Sequence, residues 1–170
     1  MAESINIEGQ QLQDCLEYFE AQSKVVAFQV KEAEFFDSTE ITGDNYIETM
    51  YKAAKRRSQA ATEVLRRHQA IKSVPSAALQ VHRAWYDSII ANQAWASAYA
   101  EAFEAMANGK RADFVRIQQL EEECQEKMKS ADEEERNFVK RLVISNNYID
   151  EMSVSITAEI RTNDSWEPTQ

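Results

Sequence analysis

The chain predicts an all-α fold, an antiparallel up-down-up-down four-helix bundle of long helices. Three observations lead there. Only three glycines and two prolines occur in 170 residues. Gly9, Gly43, Pro75 and Gly109 cut the chain into segments of nearly equal length with no helix breaker inside them. Within each segment apolar residues recur at three- and four-residue steps, the period of a helix that buries one face. A segment of roughly thirty residues makes a rod of about 45 Å as an α-helix, and four such rods can bury their faces on one another. The helices are expected over about 8–36, 45–72, 75–108 and 111–145, in a single domain covering 1–161, with a disordered tail over 162–170.

In the first helix Leu12, Leu16, Phe19, Val26, Val30 and Ala33 read as the inward stripe, with Ser23 filling one turn. Asp37-Ser38-Thr39 and Thr42-Gly43-Asp44-Asn45 carry loop chemistry, and Asn45 with Glu48 three residues on resembles a capping box that starts the second helix. Its inward stripe is Tyr46 or Ile47, Met50, Ala54, Arg57, Ala61, Val64 or Leu65, His68 and Ile71, so an arginine interrupts it. Pro75 opens the third helix, where its missing N–H costs nothing. From Ser76 to Asn108 the charges are few and alanines recur from Ala77 to Ala107, marking this as the most buried helix. Asn108-Gly109 is a stop signal. The fourth helix places Phe114, Ile117, Leu120, Cys124, Met128, Ala131, Phe138 and Leu142 on one face with Glu135 among them. Past Asn146-Asn147, Ile149, Met152, Ile156 and Ile160 keep the same register, which fits either a fifth helix over about 148–161 or a continuation of the fourth.

Composition narrows the function classes. A net charge of −10 opposes general binding to nucleic acid or to anionic membrane. No run approaches the roughly eighteen apolar residues of a membrane span. Met1 to Gln11 has neither a basic start nor an apolar stretch, so no export signal is expected there. Cys15 and Cys124 fall on the first and fourth helices, which run antiparallel, and a level mismatch on the order of 20 Å keeps them apart as free thiols.

Catalytic and metal motifs are missing from the sequence. A bundle-held di-metal centre needs Glu three residues before His, but Leu65 precedes His68 and Leu79 precedes His82 at that spacing. Both histidines read as partly exposed. No glycine-rich elbow presents a nucleophile, and the isolated glycines build no phosphate cradle. The expectation is a protein that is not an enzyme and carries no cofactor. Glu121-Glu122-Glu123, Glu126 and Asp132 to Glu135 lack the loop geometry that wraps calcium and read as a solvated face.

Three features remain as candidate binding elements. Lys52, Lys55, Arg56, Arg66 and Arg67 give the second helix a local basic excess. That excess suits an adaptor for an anionic surface, whether an acidic partner, lipid headgroups or RNA, although acidic residues of the first helix flank it in an antiparallel hairpin and give a simpler account. Trp85, Trp95 and Tyr99 on the third helix are candidates for a small-ligand pocket between helices. Ile149, Met152, Ile156 and Ile160 are candidates for a protein partner or a second copy of the chain in a homodimer.

From about Tyr46 to Leu142 the chain carries Tyr51 and Ala54 in a helix ending over Leu65 to Ile71, then Val74-Pro75 and His82. Ala98 and Ala102 follow before Asn108-Gly109, and a Glu-rich helix comes after. In these features it resembles uncharacterised bacterial helical-bundle proteins, many of them from the cell envelope. The resemblance implies an envelope-associated or secreted bundle of unknown activity.

Overall fold

The computed structural model describes residues 9–39, 45–145 and 166–168, the side chains of 142–145 excepted. Four helices form an all-α bundle: α1 (Gln10–Asp37), α2 (Tyr46–Gln69), α3 (Leu79–Ala107) and α4 (Phe114–Ser145). Contacts across the pairs establish the alternation of direction. Glu32 meets Arg56 and Gln22 meets His68 between α1 and α2. Tyr51 meets Glu104 and His68 meets His82 between α2 and α3. Trp85 meets Glu135 and Glu101 meets Arg116 between α3 and α4, while Phe19 on Phe138 closes α1 against α4.

The helix ends follow local chemistry. Gly109 adopts φ +68°, the left-handed conformation that glycine takes without penalty, and its N–H reaches the Met106 carbonyl while Lys110 N–H reaches that of Ala105. This confirms the expected stop. Three boundaries differ from expectation by three residues or more, α4 beginning at Phe114 rather than 111. α2 ends at Gln69, where the N–H groups of Ala70 and Ile71 close on the carbonyls of Arg66, Arg67 and His68. Pro75 introduces a 3₁₀ turn over Ser76–Ala78 before α3 begins at Leu79. Nor does Asn45 cap α2 through its side chain; Glu48 pairs with Lys52.

α3 packs closely along both α2 and α4. Small residues permit this: Ala53, Ala54, Ala60 and Ala61 on α2 and Ala91, Ala96, Ala98 and Ala102 on α3 are all buried, and Ser58 and Ser97 hydroxyls meet at 3.2 Å. Helix axes approach more nearly where such side chains lie at the contact. α1 is joined to its neighbours by large side chains. Cys15, Tyr18 and Phe19 of α1 form one core group with Val81, Trp85, Ala131 and Phe138, and Val25 and Phe28 form another with Val64 and Ile89.

The inward face of α1 departs from the expected stripe. Cys15, Tyr18, Phe19, Gln22, Val25, Phe28, Gln29 and Glu32 are buried, whereas Val30 is exposed. The inward positions of Gln22 and Glu32 are matched by polar partners, His68 and Arg56, and the aromatic residues beside them fill more volume than Val30. On α4, Phe114 and Met128 of the expected face are likewise exposed. The α2 stripe holds, Arg57 included, except that Tyr46 and Ile47 are exposed. Trp166, expected in a disordered tail, lies edge-on to Phe28 with ring centroids 5.3 Å apart.

Phe138 is fully buried against Phe19, while Val115 is 68% exposed. Phe138→Ala should lower unfolding stability by about 3–5 kcal/mol, and Val115→Ala should change it by less than about 0.5 kcal/mol. Urea denaturation of the two variants checks both.

Candidate functional site

The basic residues of α2 are mostly occupied by carboxylates. Lys52 pairs with Glu48 at 2.7 Å, and Glu63 receives both Arg66 at 2.6 Å and Arg67 at 2.8 Å. Arg66 first and then Arg67, by hydrogen bonding, hold the Glu63 carboxyl down at about 2 against the opposing effect of burial. Arg56 makes a two-pronged hydrogen bond to Glu32 of α1, at 2.9 and 3.0 Å, and its guanidinium lies 3.9 Å from the centre of the Phe35 ring. Arg67 covers Phe28 in the same manner. Lys55 is exposed. The acidic partners expected from α1 are thus supplied largely by α2 itself, with Glu32–Arg56 as the cross-helix pair.

Trp85, Trp95 and Tyr99 do not share one site. Trp85 is buried in the core group of Cys15, Tyr18 and Phe138, and its indole N–H donates to Glu135. Trp95 and Tyr99 pack on one another three to four turns further along α3, with Phe36 edge-on to both. Ile149, Met152, Ile156 and Ile160 lie outside the described residues.

The structure instead brings together polar side chains that face inward from every helix, in two layers. In the first layer the rings of His68 and His82 stack with centroids 4.2 Å apart and planes 14° from parallel. His68 is fully buried, which corrects the expectation of partial exposure, and its Nδ1 donates to Gln22 Oε1 at 2.9 Å. That bond assigns the proton to Nδ1 and leaves Nε2 as an acceptor without a partner among the described residues. The Tyr18 hydroxyl lies 3.4 Å from His82 Nδ1. Burial pushes the tyrosine hydroxyl up, and the nearby Glu135 carboxylate adds to this. Glu135 is itself raised, by burial first and by Asp132 next, with the Trp85 hydrogen bond opposing.

The second layer lies about midway along the bundle. Arg57 of α2 is 8% exposed and donates one hydrogen bond, from Nη2 to Asn92 Oδ1 at 3.1 Å. Its Cζ is 5.8 Å from the centre of the Trp95 ring. No carboxylate lies within ion-pair distance of it among the described residues. Cys124 is close enough for Arg57 to favour the thiolate, yet burial outweighs that and keeps the thiol raised and protonated. Buried Asn92 Nδ2, Trp95 Nε1, Ser88 Oγ and Gln29 Oε1 have no hydrogen-bond partner among the described residues. The amide of Gln29 turns its Nε2 toward the Met128 sulfur at 3.9 Å.

Arg57 and His68 were visible in the sequence as polar members of an apolar stripe. Gln22, Gln29 and Glu32 were not, because the more hydrophobic neighbouring stripe conceals them, and Ser88 and Asn92 pass for ordinary members of an alanine-rich helix. Neither layer contains three metal-ligating side chains drawn together, and no such group occurs among the described residues. No described helix is long and apolar enough to cross a membrane. What the second layer offers chemically is a buried positive charge with spare N–H donors. Compared with protein-family models, with curated proteins and with solved structures, the chain has no match.

The first layer dictates an acid response. Burial, then the neighbouring His82, lowers His68 to about 4 from its ordinary value near 6.5. Above about pH 6.5 neither the folded nor the unfolded chain protonates this ring, so it contributes nothing. As pH falls the unfolded chain takes up the proton first, and stability declines until the folded ring titrates near 4. The groups packed on His68 are Gln22 of α1 and His82 and Tyr86 of α3, none of which neutralises an imidazolium. His68→Gln keeps a hydrogen-bonding group while removing the titration. Urea unfolding at pH 7 and pH 4 should show the wild type losing about 3 kcal/mol more than this variant, and the difference between the two proteins separates His68 from the opposite effect of Glu135.

Proposed function

We propose that the protein is a non-enzymatic binding protein that holds a small ligand inside the helical bundle, at the layer of Arg57, Asn92 and Trp95. One observation carries this reading. Asn92 Nδ2 and Trp95 Nε1 of α3, both buried without hydrogen-bond partners among the described residues, belong to side chains that stand beside the buried Arg57. Leaving such an atom unpaired costs about 1–3 kcal/mol each, and a ligand with matching atoms removes that cost. The basic face of α2 supports a partner-docking role less well, because Glu32, Glu48 and Glu63 already engage four of its five candidate residues.

Self-association is a second reading, favoured by Phe114 and Val115, which are 53% and 68% exposed at the start of α4. It needs a partner surface that the bundle interior does not. Light scattering on the full chain and on residues 1–145 separates the two: equal monomer masses remove self-association.

For the binding reading, native mass spectrometry of the freshly purified protein should show a non-protein mass that leaves on acid denaturation. A crystal structure with only water between Arg57 and Trp95, together with a native mass equal to that of the bare chain, would overturn it.

A further inference from the structure

We infer that Arg57, Asn92 and Trp95 form a site for the carboxylate of a small monoanionic organic acid whose apolar body lies on the side of Phe36 and Tyr99. This rests on the binding reading above and names its ligand class. The inference begins with charge. An arginine remains protonated in any folded protein, and a buried cation that no carboxylate pairs with directly is costly. Asp37 and Glu32 act on Arg57 electrostatically without pairing with it among the described residues. Glu32 is committed to Arg56 through both oxygens, and Arg57 donates to Asn92 Oδ1, a neutral acceptor. A carboxylate in direct contact with the guanidinium is what the layer lacks among the described residues.

Hydrogen bonding narrows the class further. A guanidinium carries five N–H donors, and among the described residues one of them is used here. Asn92 Nδ2 and Trp95 Nε1 are also donors without acceptors among the described residues, and they stand three residues apart on α3, so they share a face. The Arg57 group is 3.1 Å from the Asn92 amide and 5.8 Å from the Trp95 ring centre, which sets the guanidinium beside both of these residues. Two adjacent acceptor oxygens in a plane satisfy a guanidinium edge and leave lone pairs for the amide and indole. A carboxylate has that geometry and a single charge. Phosphate brings a second charge, which the layer would have to hold close to Glu32. The thiol of Cys124, being protonated, does not compete for the anion's place.

Beyond the donors the surroundings are apolar. Phe36 stands edge-on to Trp95 and to Tyr99, at 6.5 and 5.6 Å, and Tyr99 continues the group to Phe103 at 5.0 Å. An acid with an alkyl or aryl body gains from that contact where a short polar acid does not.

Isothermal titration of the full chain with octanoate, benzoate, octanol and inorganic phosphate tests the assignment. At least one of the two carboxylates should bind at least tenfold more tightly than octanol, and phosphate should bind more weakly than either. Arg57→Met should fold, since a buried charge is exchanged for an apolar chain, and should lose at least tenfold in carboxylate affinity while its octanol affinity stays unchanged. Trp95→Phe, which keeps an aromatic ring of smaller size and removes the N–H, should lose about threefold to tenfold in carboxylate affinity relative to octanol, and it carries the test by itself if Arg57→Met does not fold. Octanol binding as tightly as the carboxylates, with both variants unaffected, overturns the carboxylate assignment and leaves interior binding standing. Tighter binding of phosphate overturns it as well. Failure of all four probes, with no retained mass in the native spectrum, removes both readings together.

Discussion

The close contact of α2 with α3 is the constraint from which the rest of the architecture follows. Alanines at 53, 54, 60 and 61 meet an alanine-rich face of α3, and a serine pair sits between them, so the two axes approach with little side-chain bulk to separate them. α3 makes the same kind of contact with α4 through Ala98 and Ala102 against Ile117. Three helices therefore form a tight unit, and the fourth, α1, is held to it by Tyr18, Phe19 and Phe28. Side chains of that size are rigid spacers in a close-packed interior. The shorter residues beside them, Gln22, Gln29 and Glu32, then face inward at levels where only polar partners suit them.

That geometry explains why polar groups collect inside an otherwise ordinary bundle. His68 finds Gln22 and stacks on His82; Arg56 finds Glu32; Arg57 and Asn92 find one another. Each pairing lowers a desolvation cost that an apolar residue would never incur. The interior is not uniformly satisfied, however. The Glu32–Arg56 pair neutralises itself across α1 and α2, whereas Arg57, one residue on and hydrogen-bonded to α3, forms no ion pair among the described residues and feels Asp37 and Glu32 only through space.

The sequence made the four rods legible because its helix breakers are few and widely spaced, and because Gly109 is needed for a left-handed cap. The α2 face was equally legible: Arg57 and His68 interrupted an apolar stripe and both proved to be inside. The α1 face was not. Leu12, Leu16, Val26 and Val30 form a more hydrophobic line than the one buried, and no local rule shows that glutamines will be chosen over valine when the neighbours are histidine and arginine. The same holds for the candidate site. A spacing of ten residues between Trp85 and Trp95 suggested a shared slot, but at about 1.5 Å per residue it separates them by roughly 15 Å, into different core groups. Pairings between helices depend on rotation about each axis, which a one-dimensional pattern constrains only when its polar and apolar faces are cleanly divided.

The placement of the three tryptophans has a spectroscopic consequence. Trp85 donates to a carboxylate at one end of the bundle, Trp95 stands beside a guanidinium near the middle, and Trp166 rests on Phe28 beside the α1–α2 hairpin. Indole emission follows local polarity and quenching, so the intrinsic fluorescence of this chain is a sum of three signals from three separate regions. A single coincident transition in that sum and in far-ultraviolet circular dichroism would mean that the bundle ends, the middle layer and the tail release together. A split between them would locate, without any added label, which part of the molecule opens first.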